Sequence, residues 1–118
     1  MPRRRISIED GLAAVHSLRA GDESAKPTAV RYLLEEITFL RPGNAVEVRV
    51  PPFGAVQCIE GLTHRRGTPP NVVEISPETW LALCFGELSW DDAISSGAIH
   101  ASGTRADLSD LLPLMRFN

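Results

Sequence analysis

The segment His64-Arg65-Arg66-Gly67-Thr68 holds the densest group of side chains that could bind a polar ligand. Two guanidinium groups beside a glycine could hold a phosphate or a carboxylate through paired hydrogen bonds. The segment lacks the GxxxxGK[ST] spacing of a Walker phosphate loop, and a solvated loop is the favoured interpretation. If the ligand is amphipathic, His64, Arg65 and Arg66 are the predicted contacts of its headgroup.

The remaining reactive side chains do not form a recognisable catalytic pattern. The three histidines (His16, His64 and His100) are far apart in the sequence, and neither an HExxH nor a GxSxG motif occurs. Cys58 and Cys84 have no metal-binding spacing and stand among apolar residues, which predicts two buried thiols. A disulfide and a reactive thiol are the less favoured alternatives. The sequence therefore predicts a protein that is not an enzyme and that carries no metal or cofactor.

Composition limits the class of partner. Twelve basic and fifteen acidic residues among 118 give a formal charge of −3, which argues against nucleic-acid binding. No apolar run approaches the roughly 20 residues that cross a bilayer, and the early stretch ISIEDGLAAV is too polar for a signal peptide. We expect a cytoplasmic protein without integral membrane association. The basic start, PRRR, is interpreted as a frayed terminus, with a membrane-surface or nucleic-acid contact as the alternative.

Two helices are predicted in the first third of the chain. Ser7 is a candidate N-cap for a helix that stops at Gly21. A second helix follows Pro27, with Val30, Leu33, Leu34 and Ile37 at the spacing of one helix face, and it ends at Pro42-Gly43.

Alternating apolar and polar residues then predict a strand over 46–50, and two further strands are predicted over 55–60 and 71–75. The first places Val46 and Val48 on one side, and the intervening PPFG suits an antiparallel hairpin. A helix capped by Ser76 should end at Gly86, and a short helix capped by Ser89 should end at Gly97. A fourth strand over 98–102 and a final helix, starting at Thr104 and ending at Pro113, complete the predicted elements.

This order of elements predicts an α+β fold in which a mainly antiparallel sheet is covered on one face by helices. The helix–glycine–helix–glycine–strand arrangement LALCFGELSWDDAISSGAIHASGTRADLSDLL resembles sterol carrier protein domains. More narrowly, five stretches are similar to the small actinobacterial sterol carrier protein orthologue family: RYLLEEI, VEVRVPPFGAVQCIEG, RGTPPNVVE, WLALCFGELSW and SGTRADLSDLLPL.

The resemblance covers residues 28–114 of a single domain, 1–118, in which 1–27 form an N-terminal helix and connector. It implies a twisted sheet of four to five strands, the fifth hidden within 62–70 or absent, and a hydrophobic tunnel between sheet and helices.

The resemblance also implies non-enzymatic binding of a lipid or another apolar small molecule. Apolar side chains of the covering helices should line the pocket, and Val46 and Val48 of the sheet should lie beneath them. The predicted helix residues are Leu81, Phe85, Leu88, Ile94, Leu108, Leu111, Leu112 and Met115. The alternative is that the same side chains only fill a core. In that case the chain is a protein-interaction or accessory domain without a ligand, and a homodimer is one form it could take.

Overall fold

The computed structural model describes residues 4–61 and 71–117. Its elements follow the predicted order except at the C-terminal end. The helices are α1 (Ile8–Arg19), α2 (Lys26–Leu40), α3 (Pro77–Cys84) and α4 (Trp90–Ser95), with a 3-10 turn at Glu23–Ala25 before α2. The strands are β1 (Val46–Val50), β2 (Gly54–Cys58), β3 (Asn71–Ile75) and β4 (Ile99–Ser102). No described helix combines the length and the apolarity that crossing a membrane requires.

Three predicted serine caps start helices as expected. The hydroxyl oxygens of Ser7, Ser76 and Ser89 accept the backbone N–H three residues later, at 3.0, 3.2 and 3.1 Å. Each bond pairs one of the amides that a helix leaves unpaired at its first turn. Gly86 and Gly97 follow α3 and α4 with positive φ of 75° and 79°, so both predicted stops are confirmed.

The sheet is mixed, with the strand order β2-β1-β3-β4. β1 is antiparallel to β2 but parallel to β3, and β3 is antiparallel to β4. The prediction of a mainly antiparallel sheet is therefore corrected at its centre. β2 ends beside the start of β1, since Cys58 pairs with Val46. β3 begins at the same end of the sheet on the other side of β1, where Asn71 pairs with Val46, and therefore runs parallel to β1. The sheet of the described residues has four strands; residues 62–70, where a fifth was considered, lie outside them.

One face of the sheet is buried and the other faces solvent. Val46, Val48, Val50 and Val73 on the inner face are 0% exposed. They share one core cluster with side chains of α1, α2 and α3, among which Leu33, Ile37 and Trp80 are also fully buried. On the other face, Arg49, Glu74 and His100 are exposed. The predicted alternation of apolar and polar residues in β1 is confirmed.

Asn71 is a buried polar side chain that joins three segments. It is 3% exposed, its Nδ2 donates to the Ala45 carbonyl at 2.9 Å, and its Oδ1 accepts from the Arg105 backbone N–H at 2.9 Å. Both ends of the amide are thus paired, as burial requires. Asn71 fixes the start of β3 against the start of β1 and against the segment that follows β4.

The predicted final helix is absent, and residues 103–117 form turns and extended chain instead. The Asp107 carboxylate accepts the Ser109 N–H at 2.8 Å, a local bond that competes with helix formation. Leu108 and Leu111 are still buried in the core, at 0% and 9% exposure. The apolar pattern therefore predicted burial correctly and the backbone conformation wrongly.

The basic N-terminal segment is ordered where the structure describes it. Arg4 forms an ion pair with Glu36, and its guanidinium lies 4.3 Å from the centroid of the Phe39 ring. The backbone N–H groups of Arg5 and Ile6 donate to Glu35 at 3.1 and 3.2 Å. The interpretation of PRRR as a frayed terminus is therefore wrong for Arg4 and Arg5, because two consecutive glutamates on α2 hold them.

Candidate functional site

The structure places most of the predicted pocket residues inside the core. Val46, Val48 and Leu108 are 0% exposed, and the remaining members of this buried group, Leu81, Phe85 and Leu111, are 8–9% exposed. Because these side chains pack against one another, an apolar ligand could enter between them only by displacing them. Their role as pocket residues stays a prediction. An opening to solvent lies beside them, between α3, α4 and the C-terminal segment.

Four predicted residues lie nearer to solvent. Leu88, Leu112 and Met115 are half-buried against the core, whereas Ile94 is 42% exposed. Leu88 and Leu112 come together in one cleft although 24 residues separate them in the sequence. Ile94 does not line this cleft, so the structure brings together two of the predicted residues at an opening to solvent.

This opening, the corner cleft, has a volume of about 350 Å³. Its walls come from the end of α3, the turn into α4 and the C-terminal segment. The lining residues are Leu83, Gly86, Leu88, Ser89, Trp90, Asp91, Ser109, Leu112, Pro113 and Arg116.

Local backbone features shape the first two walls of the corner cleft. Gly86, at φ 75°, lets the chain leave α3 in a left-handed conformation that other residues rarely adopt. Three residues later, Ser89 caps α4 and thereby positions Trp90, which is 8% exposed. The glycine and serine that the sequence marked as helix boundaries therefore build the corner.

The third wall is held by the end of α3. The Cys84 carbonyl, which α3 leaves unpaired, accepts the N–H groups of Leu114 and Met115 at 3.0 and 2.9 Å. A Cβ added at Gly86 would lie 3.5 Å from the ring of Pro113, so the two chains are nearly in contact there. The C-terminal segment is thus attached to α3 by main-chain hydrogen bonds.

A cluster of stacked side chains closes this end of the molecule. The Phe85 and Phe117 rings meet edge to face, 5.3 Å apart and at 87°. The Arg19 guanidinium lies 3.6 Å from the Phe117 centroid and 5.0 Å from that of Phe85. Arg19 also pairs with Glu87 at 3.2 Å. Helix α1 therefore helps to fasten the C-terminal segment that forms the third wall.

The corner cleft combines apolar walls with a polar rim. Leu88 and Leu112 offer apolar surface, while Asp91 and Arg116 at the rim make no ion pair with any described residue. A site of this kind can shield an apolar group from water and keep a polar end in solvent.

The described residues offer no cluster suited to metal binding, since no three His, Cys, Asp or Glu side chains are grouped for it. Both cysteines are buried and free. Burial raises the pKa of Cys58 to about 11 and that of Cys84 in the same direction. Because the thiolate is the reactive form, burial disfavours reactivity at both positions, and the prediction of two buried thiols is confirmed.

A second cavity, the edge groove, lies on another side of the molecule and has a volume of about 430 Å³. It separates the free edge of β2 from α2 and the N-terminal segment. Its lining residues are Arg5, Ile6, Arg31, Leu34, Glu35, Thr38, Phe53, Gly54, Ala55, Val56 and Gln57. The sequence reasoning missed this groove, because nothing in the order of the strands shows that β2 lies at an edge. The available signal was the opposite charge of the basic start and the pair Glu35-Glu36, which places the N-terminal segment beside α2.

His64, Arg65 and Arg66, the predicted headgroup contacts, lie outside the described residues. Their role therefore stays a prediction.

A protein-family model described as "Bacterial SCP ortholog" matches residues 22–114. The match runs from just before α2 to Leu114 in the C-terminal segment, and so contains most of the corner cleft. No curated protein matches the chain.

Proposed function

Because the chain belongs to the family of bacterial sterol carrier protein orthologues, we propose that it binds a lipid or another apolar small molecule and releases it unchanged. The observation that supports the proposal most directly is the corner cleft, where Leu88 and Leu112 meet between α3, α4 and the C-terminal segment. Its volume of about 350 Å³ lies within the usual range of small-molecule sites. On the sequence grounds given above, we assign this activity to the cytoplasm.

Binding would be driven by the removal of apolar surface from water. Each buried methylene contributes about 0.8 kcal/mol, so an acyl segment of about eight methylenes gains roughly 6 kcal/mol before the cost of association. That gain corresponds to weak, reversible binding, which suits a protein that must release its ligand. A polar end could stay at the rim beside Asp91 and Arg116.

We infer no chemical step. His16 and His100 are exposed on α1 and β4, and the two thiols are buried, which raises the pKa of each. General acid–base catalysis needs such groups within hydrogen-bond reach of a common substrate atom. Their separation supports binding without reaction.

The test follows a dansyl-labelled fatty acid by its own fluorescence. The dansyl emission, excited directly, should rise in a saturable way as the ligand leaves water for the corner cleft. In Ser109→Trp, the new indole should fill the exposed side of the cleft and weaken this binding by at least tenfold. Asp110→Trp changes the neighbouring exposed residue, which does not line the cleft, and is the matched control.

Two results would count against the proposal. Saturable binding that Ser109→Trp leaves unchanged would move the ligand away from the corner cleft. An absence of saturable binding for fatty acids and for a fluorescent sterol would refute the carrier function itself. The alternative, an accessory domain without a ligand, is favoured by the fully buried inner face of the sheet. It predicts that native mass spectrometry of freshly purified protein shows only the unliganded mass, as monomer or dimer.

A further inference from the structure

Within the part of the chain that the structure describes, the edge groove lies where the sheet ends without a neighbouring strand. β2 is the outermost strand in the order β2-β1-β3-β4 and pairs only with β1. Among the described residues, no backbone hydrogen bond reaches the other side of Gly54–Cys58. In an edge strand, every second residue turns its N–H and C=O away from the sheet. β2 therefore presents a row of backbone groups that can accept another strand.

Apolar surface accompanies this free edge. Leu34 on α2, Phe53 and Val56 along β2, and Ile6 before α1 line the groove of about 430 Å³. At Gly54, where no side chain occupies the space, an added Cβ would lie 3.6 Å from Leu34. The groove can thus receive side chains from an extended segment that lies beside β2, between the strand and α2.

The charges of the groove are unbalanced. The Arg31 Nε donates to the Phe53 carbonyl at 2.8 Å, but neither Arg31 nor Arg5 forms an ion pair within the part of the chain that is described. The one carboxylate of the lining, Glu35, already accepts the N–H groups of Arg5 and Ile6. Two guanidinium groups therefore remain available for an anionic occupant.

We propose that the edge groove binds an extended acidic peptide of a partner protein, which adds to the sheet as a strand beside β2. Alternate apolar side chains of the peptide enter the groove, and carboxylates at the ends of the peptide, beyond the paired residues, pair with Arg5 and Arg31. The exposed backbone edge favours a peptide over a lipid, because a lipid cannot pair with a row of N–H and C=O groups. A second copy of this chain is disfavoured, because its own edge strand, GAVQC, carries no acidic residue. This inference does not depend on the proposed carrier function.

The test compares three synthetic peptides on the full chain. The first is the acidic alternating peptide EVEVEVE, the second is its lysine counterpart KVKVKVK, and the third is EVEVEVE methylated on alternate backbone nitrogens. Binding is measured by fluorescence anisotropy of labelled peptides, and position is measured by amide hydrogen exchange and NMR chemical shifts. EVEVEVE should bind saturably and slow amide exchange within β2. The other two peptides should bind at least tenfold more weakly, and EVEVEVE should weaken as salt is added.

Variants separate the groove from general charge. Arg5→Gln should weaken binding of EVEVEVE by several-fold or more, because it removes one of the two guanidinium groups that pair with the peptide. The fold should be unaffected, because the exposed Arg5 guanidinium forms no ion pair among the described residues. Arg41→Gln removes an exposed arginine outside the groove and should leave binding unchanged. Equal weakening by both variants would indicate non-specific attraction and overturn the proposal.

Three further results would also overturn it. The lysine or methylated peptide could bind as well as EVEVEVE, or the chain could form a concentration-dependent dimer that protects β2 without any peptide. Dodecanoate could shift the signals of Leu34 and Val56 while EVEVEVE does not, which would make the groove a lipid site. None of these outcomes affects the corner cleft, whose test rests on Ser109→Trp.

Discussion

Gly11→Ala tests whether α1 is an integral part of the fold. Gly11 is buried where α1 crosses α2, and a Cβ added there would lie 2.1, 2.3 and 2.5 Å from three atoms of the Tyr32 ring. Ordinary contacts between carbon atoms are about 3.5–4.0 Å, so helix or ring must move by more than about 1 Å. Tyr32 is only 4% exposed, which leaves its ring little room.

Two effects of opposite sign decide the outcome. Alanine is favoured over glycine inside a helix by about 1 kcal/mol, whereas overpacking of a core usually costs about 1–3 kcal/mol. Because the contact is with a rigid buried ring and not with the end of a flexible side chain, we expect the upper part of that range. The free energy of unfolding should therefore fall by about 1–2 kcal/mol.

Urea unfolding followed by tryptophan fluorescence measures this change, with the slope against urea expected to stay constant. Ala13→Gly, at an exposed position of the same helix, isolates helix propensity and should cost about 1 kcal/mol. In a Tyr32→Ala background the clash disappears, and Gly11→Ala should become neutral or stabilising. The reasoning is refuted if Gly11→Ala stabilises the intact chain, or if it costs the same with and without the Tyr32 ring.

Three other predictions concern the core and the C-terminal segment. Burial raises the pKa of Cys58 to about 11 and also raises that of Cys84, so the folded state keeps thiol protons that the unfolded chain loses. The free energy of unfolding should therefore fall as the pH rises from about 9 to 11. Urea unfolding measures this fall, which should be shallower in Cys58→Ala. Asn71→Leu removes the partner of the buried Ala45 carbonyl and of the Arg105 N–H, and should cost about 2–4 kcal/mol by urea unfolding; a loss below about 1 kcal/mol would contradict the bridging role. Arg19→Ala should cost about 1 kcal/mol through lost ring stacking, whereas Glu87→Gln, which removes only an exposed ion pair, should cost about half of that or less; equal losses in thermal unfolding would show that the rings contribute nothing.

Local features were predicted well because each depends on few neighbouring residues. The caps Ser7, Ser76 and Ser89 and the glycine stops after α3 and α4 are satisfied within one turn of chain. The prediction of a final helix was wrong for an equally local reason, because the Asp107 carboxylate accepts the N–H of Ser109, two residues later. The N–H groups of Leu114 and Met115 also bind the Cys84 carbonyl at the end of α3 in this non-helical conformation.

The candidate site was predicted in part. Leu88 and Leu112 were named from their apolar character and do line the corner cleft, but the same character also described Leu81 and Leu108, which fill the core. Apolar composition reports that a side chain leaves water. It does not report whether protein or ligand covers it.

The sequence by itself determined the types, order and buried faces of nearly all elements, together with the family, because periodicity, capping and motif spacing act over short stretches of chain. Only the tertiary structure decided that β3 runs parallel to β1, that β2 lies at a free edge, and that the C-terminal segment binds the end of α3. Those features join residues that are remote in the sequence, and their energies depend on which surfaces remain uncovered after the core has packed. Both cavities arise from such long-range choices, so their position could not be found by reading along the chain.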